Sequence, residues 1–316
     1  NARPGIRALL QVVRCSPDYL TVRDIISRIS PRINAAGRMS LATEAVDLLT
    51  EKSDARATEL AGNLDRLNQV RRSYDEQITR DAISQLSDRE EFKHVNIVWG
   101  KGWHRGVIGI VATRLIEHRY RPSIVISDDN GVMVGSARST PGLDIHELIK
   151  GCGEYLEQFG GHAMAAGVTV KTDQAHAFAQ ALDRAVGEKL ATISKREPRY
   201  FDLEIPLQDC TPELLRNLRA FEPYGPGAPA PVFLSRDVKL AIPPKKVGKE
   251  GRHIRVSLKV PGAPQNITAV GFGLGHRLEA LASTGSLDVV FKVETENYRG
   301  VLQPRITLLD FWSERH

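Results

Sequence analysis

The consecutive segments VNIVW (95–99), GKGWHRG (100–106), VIGIVATRLIEH (107–118), RYRP (119–122), SIVIS (123–127), DDNG (128–131) and VMVGSAR (132–138) switch between two periodicities. The short apolar runs Val95–Trp99 and Ser123–Ser127, the second entered through Pro122, predict buried strands, and Val132–Ala137 predicts a third. Between the first two, Val107–His118 repeats its apolar residues at helical spacing after a glycine-rich approach. Asp128 and Asp129 before Asn130-Gly131 read as a hairpin turn. Onward, the pattern predicts a helix over Ile145–Phe159, a strand over Val168–Lys171 and a helix over Gln174–Ala191. Strands alternating with helices of this size imply an α/β domain over residues 93–194, on a parallel or mixed sheet.

On the N-terminal side, residues 43–92 carry a long helical pattern. Ala57, Leu60, Ala61, Leu64, Leu67, Tyr74, Ile78, Ala82 and Leu86 recur at threes and fours with no proline from 43 to 88. A helix from Asp54 to Leu86 would be roughly 50 Å long and would bridge two lobes; an αα-hairpin broken near Asn68 is the alternative. Residues 1–42 read as short helices broken by Pro4, Pro17 and Pro31, a corner of a further lobe. On the C-terminal side, proline and glycine crowd residues 223–231. Short strand-like runs follow at Val232–Leu234, His253–Val260, Ile267–Phe272, Leu287–Val293 and Gln303–Leu309. They predict a small barrel of OB type over residues 195–316, with a β-sandwich as the other arrangement.

The whole chain, 316 residues with 41% hydrophobic and 26% charged, has enough apolar side chains for two cores, which excludes wholesale disorder. No apolar run is long enough to span a bilayer and no signal peptide opens the chain, so a cytoplasmic setting without a membrane partner is expected. Cys15, Cys152 and Cys210 are odd in number and lack C-x-x-C spacing, which fits a reducing compartment and excludes a disulfide framework. The chain begins at Asn1 without an initiator Met and reads as a piece of a longer protein. Its net charge of +5 is unevenly placed. Seven arginines stand in residues 1–38 against Asp18 and Asp24, and eight Lys/Arg in residues 236–259 against Asp237 and Glu250. Two basic clusters suit a phosphate backbone, or are solvated faces.

Three turns of the α/β pattern carry groups that bind phosphate. In FGGHAMAAG (159–167) the paired glycines Gly160 and Gly161 let backbone N–H groups approach an anion, and His162 adds a hydrogen-bond or proton donor; a tight turn with an incidental histidine is the plainer reading. In GSARS (135–139) Arg138 ends a strand between the hydroxyls of Ser136 and Ser139, placed to clamp phosphate or simply exposed. In GWHRGVIGIVA (102–112), His104 and Arg105 precede a helix N-terminus, where anions are favoured. RINAAGR (32–38) adds Asn34 and Arg38, or is a helix-packing corner. No P-loop, G-x-S-x-G or G-x-G-x-x-G occurs, and none of the nine histidines has metal-ligand spacing, so no metal ligands are assigned in this segment.

The set RINAAGR (32–38), WHRGVIGIVA (103–112), GSARS (135–139) and GGHAMAAG (160–167), followed by a C-terminal barrel, resembles the DHH phosphoesterase family and, within it, the exonucleases specific for single-stranded DNA. The resemblance covers essentially the whole chain, but no Asp-His-His triplet is present. It implies metal-dependent 5′→3′ hydrolysis of single-stranded DNA, with Mn²⁺ or Mg²⁺ held by a domain these residues lack. It also implies a monomer supplied by a helicase or a single-strand-binding protein. Carried onto this sequence, it makes Arg138 and the Gly160-Gly161 backbone hold phosphates, with Ser136 or Ser139 assisting and His162 on the scissile or adjacent phosphate. His104, Asn34 and Arg38 would lie near the cleft. Lys245, Lys246, Lys249, Arg252 and Arg255 would hold the strand by charge, with Phe272 or Tyr298 as stacking platforms or, more simply, core. The alternatives are a scaffold that binds single strands without cleaving them, and a phosphodiesterase for short oligonucleotides or cyclic dinucleotides.

Overall fold

The computed structural model describes residues 2–17, 20, 22–88, 91–129, 131–192, 200–225, 227–248, 251–263, 266–282, 285–298 and 301–312. The chain divides into two compact units, residues 1–196 and 197–316.

The first unit opens with α1 (Pro4–Val13), the short turn α2 (Val22–Asp24) running into a π-helical turn at Ile25–Ile29, α3 (Ser30–Met39) and α4 (Thr43–Thr50). Pro4 starts α1 instead of breaking it, because a first-turn residue has no intrahelical N–H bond to lose, and Pro31 follows directly on the π-helical turn without ending the helical run. Then comes α5 (Asp54–Asp88), an unbroken helix of 35 residues, about 50 Å long. It serves two cores in succession. Ala57, Leu60, Ala61 and Leu64 pack against Leu9, Leu10, Ala36 and Leu48, whereas Ile78, Ala82 and Leu86 pack against Val107, Ile108 and Val111.

The sheet of this unit comprises β1 (Asn96–Lys101), β2 (Ser123–Asp129), β3 (Val132–Arg138), β4 (Leu156–His162) and β5 (Ala165–Val170), in the order β1-β2-β3-β5-β4. Strands β1 and β2 are parallel, joined by α6 (Arg105–His118), and the other pairings are antiparallel. The short α7 (Ile145–Lys150) and α8 (Ala175–Thr192) complete the domain. Ile97, Ile124, Ile126, Ala137, Val168 and Val170 bury one face of the sheet under Phe178, Ala179, Leu182 and Val186 of α8. On the opposite face α6 covers β1 and β2 through Val98 and Val125.

One carboxylate ties α8 to the first strand. Asp183 accepts from the backbone N–H groups of His94 at 2.7 Å, Val95 at 2.9 Å and Lys93 at 3.2 Å. Asp183→Ala orphans these donors at a half-buried site and should cost about 2 kcal/mol. A shift of less than 0.5 kcal/mol, on the order of an ordinary surface substitution, would show that water replaces the carboxylate.

The predicted helix over Ile145–Phe159 is a correction: it ends at Lys150, and residues 156–162 form the edge strand β4. Ile149, Cys152 and Leu156 are buried at helical spacing, but Gly151 and Gly153 make the helix costly to propagate, and pairing with β5 wins. The Gly-Gly-His motif therefore lies in a strand, not in a turn between a helix and a strand.

In the second unit β6 (Leu203–Glu204), β7 (Phe233–Val238), β8 (Leu240–Val247), β9 (His253–Leu258), β10 (Ile267–Gly271), β11 (Leu287–Tyr298) and β12 (Val301–Trp312) form one sheet, ordered β6-β7-β11-β12-β10-β9-β8. Helices α9 (Pro212–Ala220) and α10 (Leu278–Ala282) flank it. Ile254, Val256, Leu258, Ala269, Ile306 and Leu308 are buried, and the alternate residues His253 and Arg255 face outward. Strand β8 is invisible to the sequence pattern because Pro243 and Pro244 interrupt it. It survives because it is the sheet's edge, where a missing N–H costs no ladder bond. Among the described residues no helix is long and apolar enough to cross a membrane.

Candidate phosphate-binding shelf

Strand β5 is the spacer that brings two motifs into register. Arg138 pairs with Ala165 and Ala165 with His162; one step along, Ser136 pairs with Gly167 and Gly167 with Gly160. Residues directly opposite in antiparallel strands point to the same face, so Ser136, Arg138, Gly160 and His162 share one side of the sheet. The residues between them are Ala165 and Gly167, which keep that surface low. At a strand spacing of about 4.8 Å, the Arg138 and His162 backbones stand roughly 10 Å apart, a width suited to a sugar–phosphate unit. Gly161 is constrained: its φ is +153°, and a Cβ there would lie 2.3 Å from the Ala165 carbonyl oxygen. His162 Nδ1 accepts the Met164 N–H at 3.3 Å, which leaves Nε2 as the donor on an exposed ring.

The other wall is the start of α6. His104 is its N-cap, with Nδ1 accepting the Gly106 N–H at 3.1 Å and its ring 5.2 Å from that of Tyr74. A Cβ on Gly106 would fall 2.2 Å from the Arg38 carbonyl oxygen, so α3 and α6 touch backbone to backbone here. Arg38 Nη1 donates to the Gly106 carbonyl at 3.1 Å. A Cβ on Gly109 would meet Arg138 Nη2 at 2.7 Å and Ser136 Oγ at 2.9 Å, so the arginine lies in the gap this glycine leaves. Arg138 Nη1 donates to Ser136 Oγ at 3.0 Å and to the Ala137 carbonyl at 2.7 Å.

The electrostatics are one-sided. Among the described residues neither Arg138 nor Arg38 has a carboxylate partner. Burial, and then repulsion from Arg38, push the Arg138 guanidinium below its usual value, though an arginine stays protonated in water. Two cations at the positive end of a helix form a field that favours an anion. Arg105 is not part of it, since Asp129 holds it at 3.4 Å.

Of the residues chosen from sequence, Arg138, Ser136, Gly160 and His162 meet on the shelf, and Arg38 and His104 border it. Asn34 stands exposed one turn before Arg38 on α3. Ser139 is a correction: it is buried, and its hydroxyl is committed to the Leu143 carbonyl at 2.8 Å, so Ser136 alone of the two offers a hydroxyl. In the second unit Lys245 pairs with Arg255 and Lys246 with Ile254, beside Arg252; Lys249 lies outside the described residues, as does the Tyr298 side chain. Phe272 corrects the core expectation, being 50% exposed. Sequence reasoning missed the polar seam beneath the shelf. There Asp75, 1% exposed, receives Arg114 bidentately at 2.7 and 2.8 Å, with Arg71 at 4.0 Å. Its one signal was the spacing of Asn68, Arg71 and Asp75 along the buried side of α5.

Among the described residues no group of three or more His, Cys, Asp or Glu converges to hold a metal, so these side chains do not fit Mn²⁺ or Mg²⁺. Burial pushes the Cys210 thiol up to about 12, so it stays protonated and is no nucleophile at neutral pH. What the arrangement can do is grip phosphate.

A DHHA1 domain matches residues 74–188 and a RecJ OB domain residues 201–310. The chain is 29% identical over 310 residues to the single-stranded-DNA-specific exonuclease RecJ of Bacillus subtilis, covering 98% of this chain and 39% of that one. It is 30% identical over 321 residues to the protein of the same name from Dickeya dadantii, covering 99% and 55%. The crystal structure of RecJ in complex with Mn²⁺ from Thermus thermophilus superposes with a TM-score of 0.80 at 26% identity, over 100% of this chain and 45% of that one. A Mg²⁺ complex from the same source gives 0.78. The chain thus spans about half or less of the length of these relatives.

Proposed function

Because the chain belongs to the RecJ family, with a DHHA1 domain followed by a RecJ OB domain, we propose that it forms the phosphate-holding wall and strand guide of a 5′→3′ exonuclease acting on single-stranded DNA. The observation that carries this reading is the row Arg138–Ala165–His162, faced by Arg38 and the α6 N-terminus, with no acid among the described residues to neutralise the two arginines. Arg138 and Ser136 hold one phosphate, and His162 Nε2 donates to its neighbour or to the scissile group. Residues 93–194 thereby act as the phosphate-binding domain, 195–316 as the strand-binding domain, 43–92 as the connecting helix and 1–42 as the corner of a catalytic lobe. Mn²⁺ or Mg²⁺ enters as the cofactor of the whole protein, held by other side chains than those described. We further propose a cytoplasmic monomer, fed by a helicase or a single-strand-binding protein.

The test is digestion of 5′-labelled single- and double-stranded DNA by the whole protein, beside binding of both by this chain. Release of label from single strands only, with this chain binding but not cutting, is the expected result. A whole protein that binds single strands and leaves them intact would instead make the chain part of a scaffold.

For the second unit, affinity for a single strand should fall as salt rises, because each neutralised phosphate releases counterions. Lys245→Ala and Arg255→Ala should each flatten the slope of log K against log salt by about 0.7. An unchanged slope in both variants would remove these two residues from the strand's path.

A further inference from the structure

The outward face of the seven-stranded sheet carries a large aromatic side chain that the core does not use. Gly271, the last residue of β10, pairs with Ile254; Phe272 opens the turn that follows, and His253 is the first residue of β9. Ile254 points into the core, so alternation along β9 turns His253 the other way, and the ring contact between His253 and Phe272 places both side chains together outside the core. The Phe272 ring is 50% exposed.

The ring is nonetheless held. The His253 ring stands edge-on to it, with centroids 5.2 Å apart and planes at 69°. His253 is itself pinned: Nδ1 accepts the Gly273 N–H at 3.1 Å, and a Cβ on Gly248 would come within 2.7 Å of its Cδ2. The Arg305 guanidinium carbon sits 5.8 Å from the Phe272 centroid. Arg255 lies two residues from His253 on the same face, opposite Lys245. An exposed ring, braced at its edge and set among cations, has the chemistry of a nucleobase platform: cations track the backbone while the π-face takes a base irrespective of its sequence.

We propose that Phe272 is a stacking platform for one base of a single strand crossing β8, β9 and β10, with His253 as the residue that positions its ring. This rests on the second unit being strand-binding, and it adds a contact that charge alone does not supply. Such a contact is neutral, so it adds affinity without adding counterion release.

The experiment is fluorescence anisotropy with this whole chain, on an oligo(dT) and on an abasic strand of the same length, across a salt series. Phe272→Ala should weaken oligo(dT) binding about tenfold, within the range of a lost base–aromatic stack, and leave the salt slope unchanged. Phe272→Trp should keep the affinity. On the abasic strand, wild type and Phe272→Ala should bind alike. Equal losses on both strands, or no loss on oligo(dT), would overturn the platform while leaving charge-driven binding in place. If the wild-type chain bound neither strand, the strand-binding reading would fall first, and the platform with it.

Discussion

Arg138→Ala in the whole protein should lower kcat/KM on single-stranded DNA by about 10² to 10³-fold, the loss seen when one preorganised charge-stabilising donor is removed. The guanidinium is half-buried, braced on Ser136 and the Ala137 carbonyl, and lacks a carboxylate among the described residues. Its interaction with a phosphate oxygen is therefore not weakened by an internal ion pair. Arg138→Lys should recover little, because an ammonium cannot present two parallel donors. Stability should not fall with activity: removing a cation that repels Arg38 relieves an unfavourable pair. Gly109→Ala tests the same geometry from the other side. Its methyl would lie 2.7 Å from Arg138 Nη2, so the arginine must leave its place with every charge retained. Turnover close to wild type in both variants would show that the phosphate is held elsewhere.

Arg138, Ser136 and His162 are legible as candidates for holding phosphate because their residue types suit that chemistry. Their convergence is not. The sequence pattern places Gly-Gly-His after a helix, since Ile149, Cys152 and Leu156 keep a helical period through a segment that the structure makes a strand. Only with β4 in the sheet does His162 come into register with Arg138, through a strand of small residues. Ser139 fails for a related reason: alternation along β3 sends it to the side opposite Arg138, where it serves the backbone. Phe272 reads as core because aromatics usually are, and the apolar run Ile267–Phe272 does not show that the strand stops at Gly271 and leaves Phe272 in the turn. The long helix is the most legible element. Even there, the apolar stripe records what α5 buries and is silent on the polar seam between its two cores.

That seam supports the second large expectation. Asp75→Ala should destabilise the first unit by about 3 kcal/mol, the lower end for removing one partner of a buried ion pair, since the Arg114 side chain is 46% exposed. Asp75 is 1% exposed and is the carboxylate to which Arg114 binds bidentately and toward which Arg71 turns at 4.0 Å. Without it, two cations face each other with Arg38 nearby, and the Arg71 Nε, already buried without a hydrogen-bond partner, loses its compensation too. Trp103 packs in the adjoining core and reports this region; replacing Trp312 by Phe removes the tryptophan of the second unit, so urea unfolding followed by fluorescence would read the first unit. Arg114→Leu added to Asp75→Ala should restore part of the loss, because an apolar side chain leaves fewer charges to repel, and the cycle would isolate the pair's coupling. A single-variant loss of less than about 1 kcal/mol, the size of an exposed pair, would mean that water reaches the seam and screens it. In that event α5 would join α3 to α6 through its apolar residues alone, and the arginines beneath the shelf would owe their positions to packing.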